Sequence, residues 1–218
     1  MGKSKIIILI PSHNEYHSLK KLLPQLKKKY DFLVVNDFST DKTEKYLKLE
    51  KFKYLNNNKR FGYENSILNG MNYILKNFKK KKYIITFDAD NEHKIKDISR
   101  FEKLTQKKNV DLLIGQRNSF NRFFEKIISL IFEKNFYLRD PLSGFKLYNT
   151  KALKKNLKNV KKNLFLVDLT ILILRKKKLT SNVLINVNKR IDNPRIGSFV
   201  KVNFKLLKII FYLLFMKN

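Results

Sequence analysis

The first half of the chain alternates short apolar runs with amphipathic segments, and this alternation constrains the fold more than any other feature. Apolar runs typical of buried strands occupy residues 6–10, 32–35, 52–55, 83–87 and 111–114. Between these runs, apolar side chains recur at helical spacing, as in residues 15–29 and 64–78. Repeated strand–helix units predict an α/β fold in which helices flank a mainly parallel central sheet.

Composition restricts the class of protein. The 218 residues include 48 Lys and Arg against 18 Asp and Glu, a formal net charge of +30. A surface this basic attracts phosphates, anionic lipid and nucleic acid alike. The absence of Cys excludes disulfides and cysteine-ligated zinc. No apolar stretch approaches the roughly 20 residues of a transmembrane helix, and the first apolar run is too short for a signal peptide, so we expect an intracellular protein.

The fourth apolar run ends abruptly in carboxylates. Residues 83–87 are followed by Asp88, Ala89 and Asp90, and then by Glu92. Alternate residues of an extended chain point the same way, and ligands of α/β sheets bind beyond the carboxyl ends of the strands. Asp88, Asp90 and Glu92 are therefore predicted to ligate Mg²⁺ or Mn²⁺, together with substrate phosphates. For an Asp-x-Asp taken alone, a solvated acidic turn is the alternative.

Polar side chains also follow the first two predicted strands. Residues 11–15 read Pro-Ser-His-Asn-Glu, and residues 36–41 read Asn-Asp-Phe-Ser-Thr-Asp. Carboxylate and amide groups gathered at one edge of a sheet suit the hydroxyls of a ribose and the edge of a base. The glycine-rich phosphate loops of other nucleotide-binding folds are missing, so metal and Arg would have to neutralise the phosphates.

These motifs, in this order, resemble those of family 2 glycosyltransferases, inverting enzymes with the GT-A fold. The resemblance runs from about residue 6 to residue 201. Residues 11–15 resemble the family's Pro-x-x-Asn-Glu, residues 36–41 resemble its Asp-Asp-Gly-Ser-x-Asp, and residues 88–90 resemble its metal-binding Asp-x-Asp. In the second motif, Asn replaces an Asp and Phe replaces a Gly.

Later motifs are most similar to those of dolichyl-phosphate mannose synthases, among the polyprenyl-phosphate glycosyltransferases. Residues 115–117 resemble Gly-Ser-Arg, and residues 140–146 resemble Asp-x-x-Ser-Gly-Phe-Arg, with Lys146 in place of the Arg. Residues 195–198 resemble part of a final Arg-x-x-Gly-x-Ser-Lys segment, with shifted spacing. The chain has no Trp, so the Gln-x-x-Arg-Trp signature of processive polysaccharide synthases is absent.

The resemblance implies a role for each matching residue. Those implied to bind the nucleotide sugar are Pro11, Ser12, Asn14, Glu15, Asn36, Asp37, Gly62, Asp88 and Ala89. Those implied to bind phosphates are Arg117, Arg190, Arg195, Ser198 and Lys201. The acceptor side is implied to include Asp140, Ser143 and Gly144. The implied catalytic residues are Asp90, Arg117 and Asp168, although an Asp that opens a helix is equally a partner for the helix dipole.

The chain divides into a catalytic domain, residues 1–198, and an amphipathic terminal helix, residues 199–218. Within the domain, residues 1–117 form the nucleotide-sugar half and residues 118–198 the acceptor half. Apolar residues between 120 and 132 also lie at helical spacing. In the terminal helix, Lys and Tyr form only a narrow polar line. Its apolar face is expected in a membrane interface, in a homodimer or on the domain's own core, and the sequence leaves these open.

The implied activity is metal-dependent transfer of a hexose from GDP-mannose or a UDP-hexose to a polyprenyl phosphate. The enzyme would be cytoplasmic and peripheral on the inner face of an anionic membrane. A phosphomonoester is already ionised at neutral pH and needs no base, whereas a hydroxyl acceptor would need one, with Asp168 as the candidate. Transfer to a saccharide or glycolipid hydroxyl is therefore the first alternative. A nucleic-acid-binding protein is the second, disfavoured because the lysines are dispersed along the chain.

Overall fold

The computed structural model describes residues 4–90, 93–120, 122–161, 164–175, 179–185 and 199–215, without the side chains of residues 199–201. Within them, seven strands form one sheet in the order β3-β2-β1-β4-β6-β5-β7. The strands are β1 (Ile6–Ser12), β2 (Asp31–Asn36), β3 (Tyr54–Asn56), β4 (Tyr83–Thr86), β5 (Leu112–Arg117), β6 (Lys146–Asn149) and β7 (Thr180–Ile185).

Helices cover both faces of this sheet. They are α1 (Tyr16–Lys27), α2 (Thr43–Leu49), α3 (Tyr63–Asn77), α4 (Ile95–Lys107), α5 (Phe123–Phe136), α6 (Thr150–Asn156), α7 (Phe165–Leu174) and α8 (Phe199–Leu214). A short 3-10 helix, Leu157–Asn159, follows α6. Since every described strand pair is parallel except those that involve β6, the prediction of a mainly parallel α/β fold is confirmed.

The alternation of side chains along β1 explains why its sequence is apolar throughout. Ile6, Ile8 and Ile10 pack in one core layer with α1, α2 and α4. Ile7 and Leu9 pack in the other layer with α3, α5, α7 and α8. A strand buried on both faces needs apolar side chains at every position, which is the pattern that the sequence shows.

Register brings the ends of the parallel strands to one edge. Ser12 at the end of β1 pairs with Asn36 at the end of β2, and Leu9 of β1 pairs with Thr86 at the end of β4. The loops that follow these three strands therefore meet. Strand β6 runs antiparallel to β4 and β5, so the loop that precedes β6 reaches the same edge.

The terminal helix α8 presents two apolar faces with different surroundings. Leu206, Ile209 and Leu213 are buried in the core layer that α5 and α7 share. On the other face, Phe204 is 60% exposed and Phe211 is 59% exposed. One face of α8 thus packs on the domain's own core. A membrane interface or a homodimer remains the prediction for the exposed face that carries Phe204 and Phe211. Within the described residues, none of the helices combines the length and hydropathy required to cross a bilayer.

The apolar stripe of α5 also packs on the domain. Ile128 and Phe132 are fully buried, and α5 lies against α8. Phe124 and Ile131 pack against the same core layer, whereas Phe123 at the start of the helix is exposed. Most of this apolar stripe therefore faces the domain's own core.

Candidate active site

A cleft of about 700 Å³ lies at the edge of the sheet where the loops after β1, β2, β4 and β5 meet. Of the residues predicted from the sequence, those that line it are Pro11, Ser12, Glu15, Asp37, Gly62, Asp88, Ala89, Asp90, Arg117 and Gly144. Five other predicted residues are outside its lining: Asn14, Asn36, Asp140, Ser143 and Asp168. The cleft thus gathers most of the predicted nucleotide-side residues and fewer of the acceptor-side ones.

Asn14 supports the cleft rather than lining it. The residue has a left-handed φ of 57°, and its side-chain oxygen accepts a hydrogen bond from the Thr40 N–H at 2.8 Å. Its own N–H donates to the Ser39 hydroxyl at 2.9 Å. These bonds fasten the loop after β1 to the loop after β2, and Glu15, which lines the cleft, follows directly in the chain.

Asn36 is also a support residue, at the end of β2. It is fully buried, and its side-chain nitrogen donates to the Asn56 carbonyl oxygen Oδ1 at 2.6 Å. Its own Oδ1 accepts a hydrogen bond from the Ser39 N–H at 3.3 Å. The amide that replaces the family's Asp here therefore ties β2 to β3 and shapes the loop that carries Asp37.

Asp37 organises the turn that forms one wall of the cleft. One carboxylate oxygen accepts hydrogen bonds from the Asn57 amide and the Phe61 N–H, both at 2.9 Å, and the other accepts from the Gly62 N–H at 2.8 Å. Burial raises the pKa of Asp37, but these bonds outweigh it and lower the pKa below its ordinary value. Gly62 has a φ of 85°, which favours glycine.

Asp88 is held on both of its oxygens. The Tyr63 hydroxyl donates to Oδ1 at 2.6 Å, and His93 Nε2 lies 3.3 Å from Oδ2. Burial raises the pKa of Asp88, but hydrogen bonding and the charge of His93, with help from Tyr63 and Arg117, outweigh burial and lower it. Asp88 is therefore an oriented anion at the cleft surface.

Asp90 completes the carboxylate pair on the cleft surface. The two groups offer the hard oxygen ligands that Mg²⁺ and Mn²⁺ prefer. Within the described part of the chain, no group of three His, Cys, Asp or Glu side chains is placed to hold a metal ion. A cation here would share its remaining ligands with a diphosphate, and the donor set fits such a cation. The third predicted ligand, Glu92, lies outside the described residues.

Arg117 reaches the cleft from the end of β5 and is fixed by Asp140. Its Nε donates to Asp140 Oδ2 at 2.9 Å and its Nη2 donates to Oδ1 at 2.8 Å. Asp140 has no exposed surface, so the structure does not place it in contact with an acceptor, in contrast to the acceptor-side role that the resemblance implies. Its carboxylate instead compensates the charge of Arg117 and sets the direction of the guanidinium.

Ser143 and Gly144 form the turn before β6. Ser143 is buried, and its hydroxyl accepts a hydrogen bond from the Phe145 N–H at 3.2 Å, so it shapes the turn and does not face an acceptor. Gly144 does line the cleft. A Cβ at this position would lie 2.3 Å from Asp88 Oδ2 and 2.6 Å from the Tyr63 hydroxyl oxygen. The absence of a side chain at Gly144 therefore allows Tyr63 and Asp88 to meet.

Asp168 is not placed to act as a base. It lies in the first turn of α7 and is only 3% exposed. One oxygen accepts a hydrogen bond from the Lys161 N–H at 2.7 Å, and the other accepts from the Tyr212 hydroxyl of α8. These contacts hold the terminal helix against α7, so the alternative reading of Asp168 as a structural partner at a helix start fits the geometry better.

Several residues in the cleft were not found from the sequence. They are Tyr63, Arg122, Glu125 and Lys205. Tyr63 follows Gly62 in the chain, and that proximity is the signal that could have identified it. Glu125 lies on the helix face that the apolar pattern of α5 assigns to solvent, yet it is buried. The predicted phosphate ligands Arg190, Arg195 and Ser198, and the side chain of Lys201, lie outside the described residues.

One part of the cleft wall is mainly apolar. It is formed by Leu142, Leu166, Val167, Val202, Leu206 and Ile209, which come from the turn before β6 and from α7 and α8. The same wall contains an ion pair between Lys205 of α8 and Glu64 of α3, with 2.5 Å between Nζ and Oε2. Helix α8 is therefore part of the site as well as part of the core.

Comparisons with known proteins agree with this arrangement. The chain is 32% identical over 169 residues to the uncharacterized protein MJ0544 of Methanocaldococcus jannaschii, which covers 68% of the chain and 73% of that relative. It is 27% identical over 192 residues to the protein MJ1222 of the same organism, which covers 81% of the chain and 78% of that relative.

Among solved structures, the fold is similar to glucosyl-3-phosphoglycerate synthase from Mycobacterium tuberculosis in complex with Mn²⁺, UDP and glucosyl-3-phosphoglycerate. The TM-score is 0.70 at 14% identity, over 98% of this chain and 79% of that one. This likeness concerns the fold alone. The model of the family described as "Glycosyl transferase family 2" matches residues 7–179, most of the chain. The chain therefore belongs to glycosyl transferase family 2.

Proposed function

We propose that this protein is an inverting glycosyltransferase that moves a hexose from a nucleotide diphosphate sugar to a polyprenyl phosphate at a membrane surface. One observation carries the proposal: a single cleft joins an end lined by Asp37, Asp88 and Asp90 to an apolar wall formed by α7 and α8. The carboxylate end suits a nucleotide sugar and a cation. The apolar wall suits the hydrocarbon chain of a lipid acceptor.

The donor occupies the strand-end side of the cleft in this proposal. Glu15 and Asp37 receive the ribose hydroxyls and the base edge, and the oriented carboxylate of Asp88 receives a further hydroxyl. Asp90, with Glu92 as a further predicted ligand, would hold a Mg²⁺ or Mn²⁺ ion, and such an ion would stabilise the negative charge of the leaving diphosphate. Arg117, fixed by Asp140, adds a second positive charge beside the diphosphate.

The acceptor phosphate needs no base from the protein. Its second pKa lies near 6, so an oxygen is already ionised at neutral pH. This oxygen attacks the anomeric carbon from the face opposite the nucleotide. The bond from that carbon to the diphosphate oxygen breaks, and the nucleoside diphosphate leaves with the electron pair. The placement of Asp168, which is occupied with Lys161 and Tyr212, is compatible with such an acceptor.

A membrane surface is the proposed setting, on its cytoplasmic side. The outer face of α8 exposes Phe204 and Phe211, and the chain carries a formal charge of +30, which attracts anionic lipid. Because the inner face of the same helix lines the cleft, a lipid acceptor could enter the apolar wall directly from the bilayer. GDP-mannose and UDP-hexoses are the proposed donors.

A two-step experiment tests this proposal. GDP-mannose, UDP-glucose and UDP-galactose are first compared for thermal stabilisation of the protein with MnCl₂, MgCl₂ or EDTA, and one donor should stabilise it only with a metal. That donor is then offered with a prenyl phosphate, the matching prenol and a disaccharide, in anionic or zwitterionic vesicles.

Transfer to the prenyl phosphate, faster in anionic vesicles, supports the proposal. Transfer to the disaccharide or the prenol alone would replace it with a hydroxyl acceptor. Stabilisation that persists in EDTA would contradict the role of a metal in donor binding. Transfer that is equally fast in both vesicle types would contradict the role of an anionic surface.

A further inference from the structure

The start of α5 carries an ion-pair cluster that the proposed chemistry has not used in full. Arg122 precedes the helix and Glu125 lies in its first turn. Arg122 Nη1 donates to Glu125 Oε1 at 2.9 Å, and Arg117 Nη1 lies 3.5 Å from Glu125 Oε2. One carboxylate thus bridges two guanidinium groups that come from different elements, one at the end of β5 and one at the start of α5.

The burial of the three side chains is unequal. Glu125 is 6% exposed, whereas both arginines line the cleft. A buried carboxylate costs free energy unless an opposite charge compensates it. The folded state therefore favours arrangements in which both guanidinium groups stay close to Glu125. Arg117 is fixed further by Asp140 and by the Phe120 ring, whose centroid lies 5.4 Å from the guanidinium carbon. The two cations therefore have defined positions in the wall before any ligand arrives.

We propose that Glu125 is a positioning residue that holds Arg117 and Arg122 as a fixed pair, and that this pair binds phosphate oxygens of a substrate. The source of the phosphate rests on the proposed function and is either the diphosphate of the donor or the phosphate of the acceptor. Paired guanidinium groups form charge-assisted, multidentate hydrogen bonds with phosphate. Fixing them in advance reduces the side-chain entropy that binding would otherwise cost.

Glu125→Gln tests the role of the buried carboxylate while leaving both arginines in place. The amide has nearly the same size, but it carries no charge, and its NH₂ group turns toward a guanidinium. The matched control is Glu133→Gln on the same helix. Glu133 pairs with Arg139 at 2.6 Å and lies outside the cleft lining, so this variant removes an equal charge without touching the site.

Three quantities are measured for each variant: the Kd of inorganic pyrophosphate, the Kd of UDP with MnCl₂, and the KM for a short-chain prenyl phosphate. We expect Glu125→Gln to weaken at least one of them about tenfold, since a charge-assisted pair is lost. Glu133→Gln should stay within about twofold of the wild type, as an exposed ion pair does. Glu125→Asp, which restores the charge with a shorter reach, should recover part of the loss.

The arms of the experiment separate the sources of phosphate. A loss in pyrophosphate and UDP affinity assigns the pair to the donor, and a raised KM for prenyl phosphate with little change in kcat assigns it to the acceptor. If folded Glu125→Gln matches Glu133→Gln in all three quantities, the inference is overturned. Equal losses in Glu125→Gln and Glu125→Asp would also overturn it, because they would show that packing and not charge is what matters.

Pyrophosphate binding does not require sugar transfer, so the two proposals can fail separately. Suppose that the wild type transfers no sugar to any acceptor but binds pyrophosphate about tenfold more tightly than Glu125→Gln. The positioning role of Glu125 would then stand and the proposed function would fall. Active transfer with unchanged affinities in Glu125→Gln would give the reverse result.

Discussion

The proposed nucleotide half and the proposed acceptor half of the cleft are organised by different kinds of contact. In the proposed nucleotide half, hydrogen-bond donors that carry no charge, the Phe61 and Gly62 N–H groups, orient Asp37. In the acceptor half, buried charges orient other charges, as Asp140 and Glu125 do for Arg117. The first kind of contact joins loops that follow neighbouring strands. The second joins elements whose pairing becomes visible only in three dimensions.

The largest expected effect tests the nucleotide half. Asp90→Asn removes a carboxylate from the cleft, and we expect turnover of the nucleotide sugar to fall by about 1,000-fold, because stabilisation of the leaving diphosphate is lost. Initial rates at saturating donor measure the effect. Asp31→Asn is the matched control, since Asp31 pairs with Lys81 at 2.6 Å at the start of β2, the opposite edge of the sheet. Full activity of the Asp90→Asn variant would contradict the chemical role proposed for the carboxylates that follow the strands.

An intermediate effect tests whether the acceptor half tolerates a buried charge. Lys146 is buried in β6, where its Nζ donates to the Pro141 carbonyl oxygen at 2.6 Å. Burial lowers the pKa of Lys146 from its ordinary 10.5 to about 8, although Asp140 and Glu64 oppose the shift. The buried ammonium thus destabilises the folded state wherever it stays protonated.

The pH window of this effect follows from the two pKa values. Below pH 8, the folded and unfolded states both hold the proton, and the full cost of burial is present. Between about pH 8 and 10.5, the unfolded chain holds a proton that the folded chain has released, so the free energy of unfolding rises with pH. Relative to Lys146→Met, the wild type should gain up to about 3 kcal/mol across this window.

Urea unfolding of both proteins from pH 7 to 10.5 measures this gain, with Lys134→Met on the exposed face of α5 as control. The prediction is supported if the wild type shows this gain relative to Lys146→Met and Lys134→Met shows the same gain as the wild type. A stability difference between wild type and Lys146→Met that does not change with pH would contradict the prediction.

The smallest effect concerns Asp168. If Asp168 acted as a catalytic base, Asp168→Asn would lower turnover by at least about 100-fold. Since its oxygens bind Lys161 and Tyr212, we expect turnover to stay within about threefold and the free energy of unfolding to fall by about 1 kcal/mol. Tyr212→Phe removes one of the same contacts from the other side and should cost a similar amount. A large loss of turnover in Asp168→Asn but not in Tyr212→Phe would indicate that Asp168 is a catalytic residue.

The sequence was most informative where chemistry follows a strand. Glu15, Asp37 and Asp88 come within a few residues of apolar runs, so the topology of a parallel sheet predicts that they meet. Strand β6 was missed because its four residues include Lys146 and Asn149, which break the apolar pattern, although both are buried. Strand β7 is partly exposed and alternates polar with apolar residues, so it gave no clear signal.

The acceptor half was less predictable for a physical reason. The buried carboxylate of Glu125 is tolerated because Arg117 and Arg122 compensate its charge, and a pattern of apolar spacing does not reveal such a contact. The same limit applies to Asp168, which a motif comparison assigns to chemistry and the structure assigns to the contact with Tyr212. For Asp37, Asp88 and Arg117, the sequence predicts the residue and the structure shows its partners.

The reversed direction of β6 has a consequence for how proteins of this kind diversify. Residues 118–145 leave the sheet at the end of β5 and return through Gly144 at the same edge, so their length is not set by the distance between opposite ends of a strand. Insertions or deletions in this segment, residues 118–145, would leave the register of the sheet intact. Under the proposed function, acceptor preference could therefore change through the length of this segment while the donor side of the cleft keeps its shape.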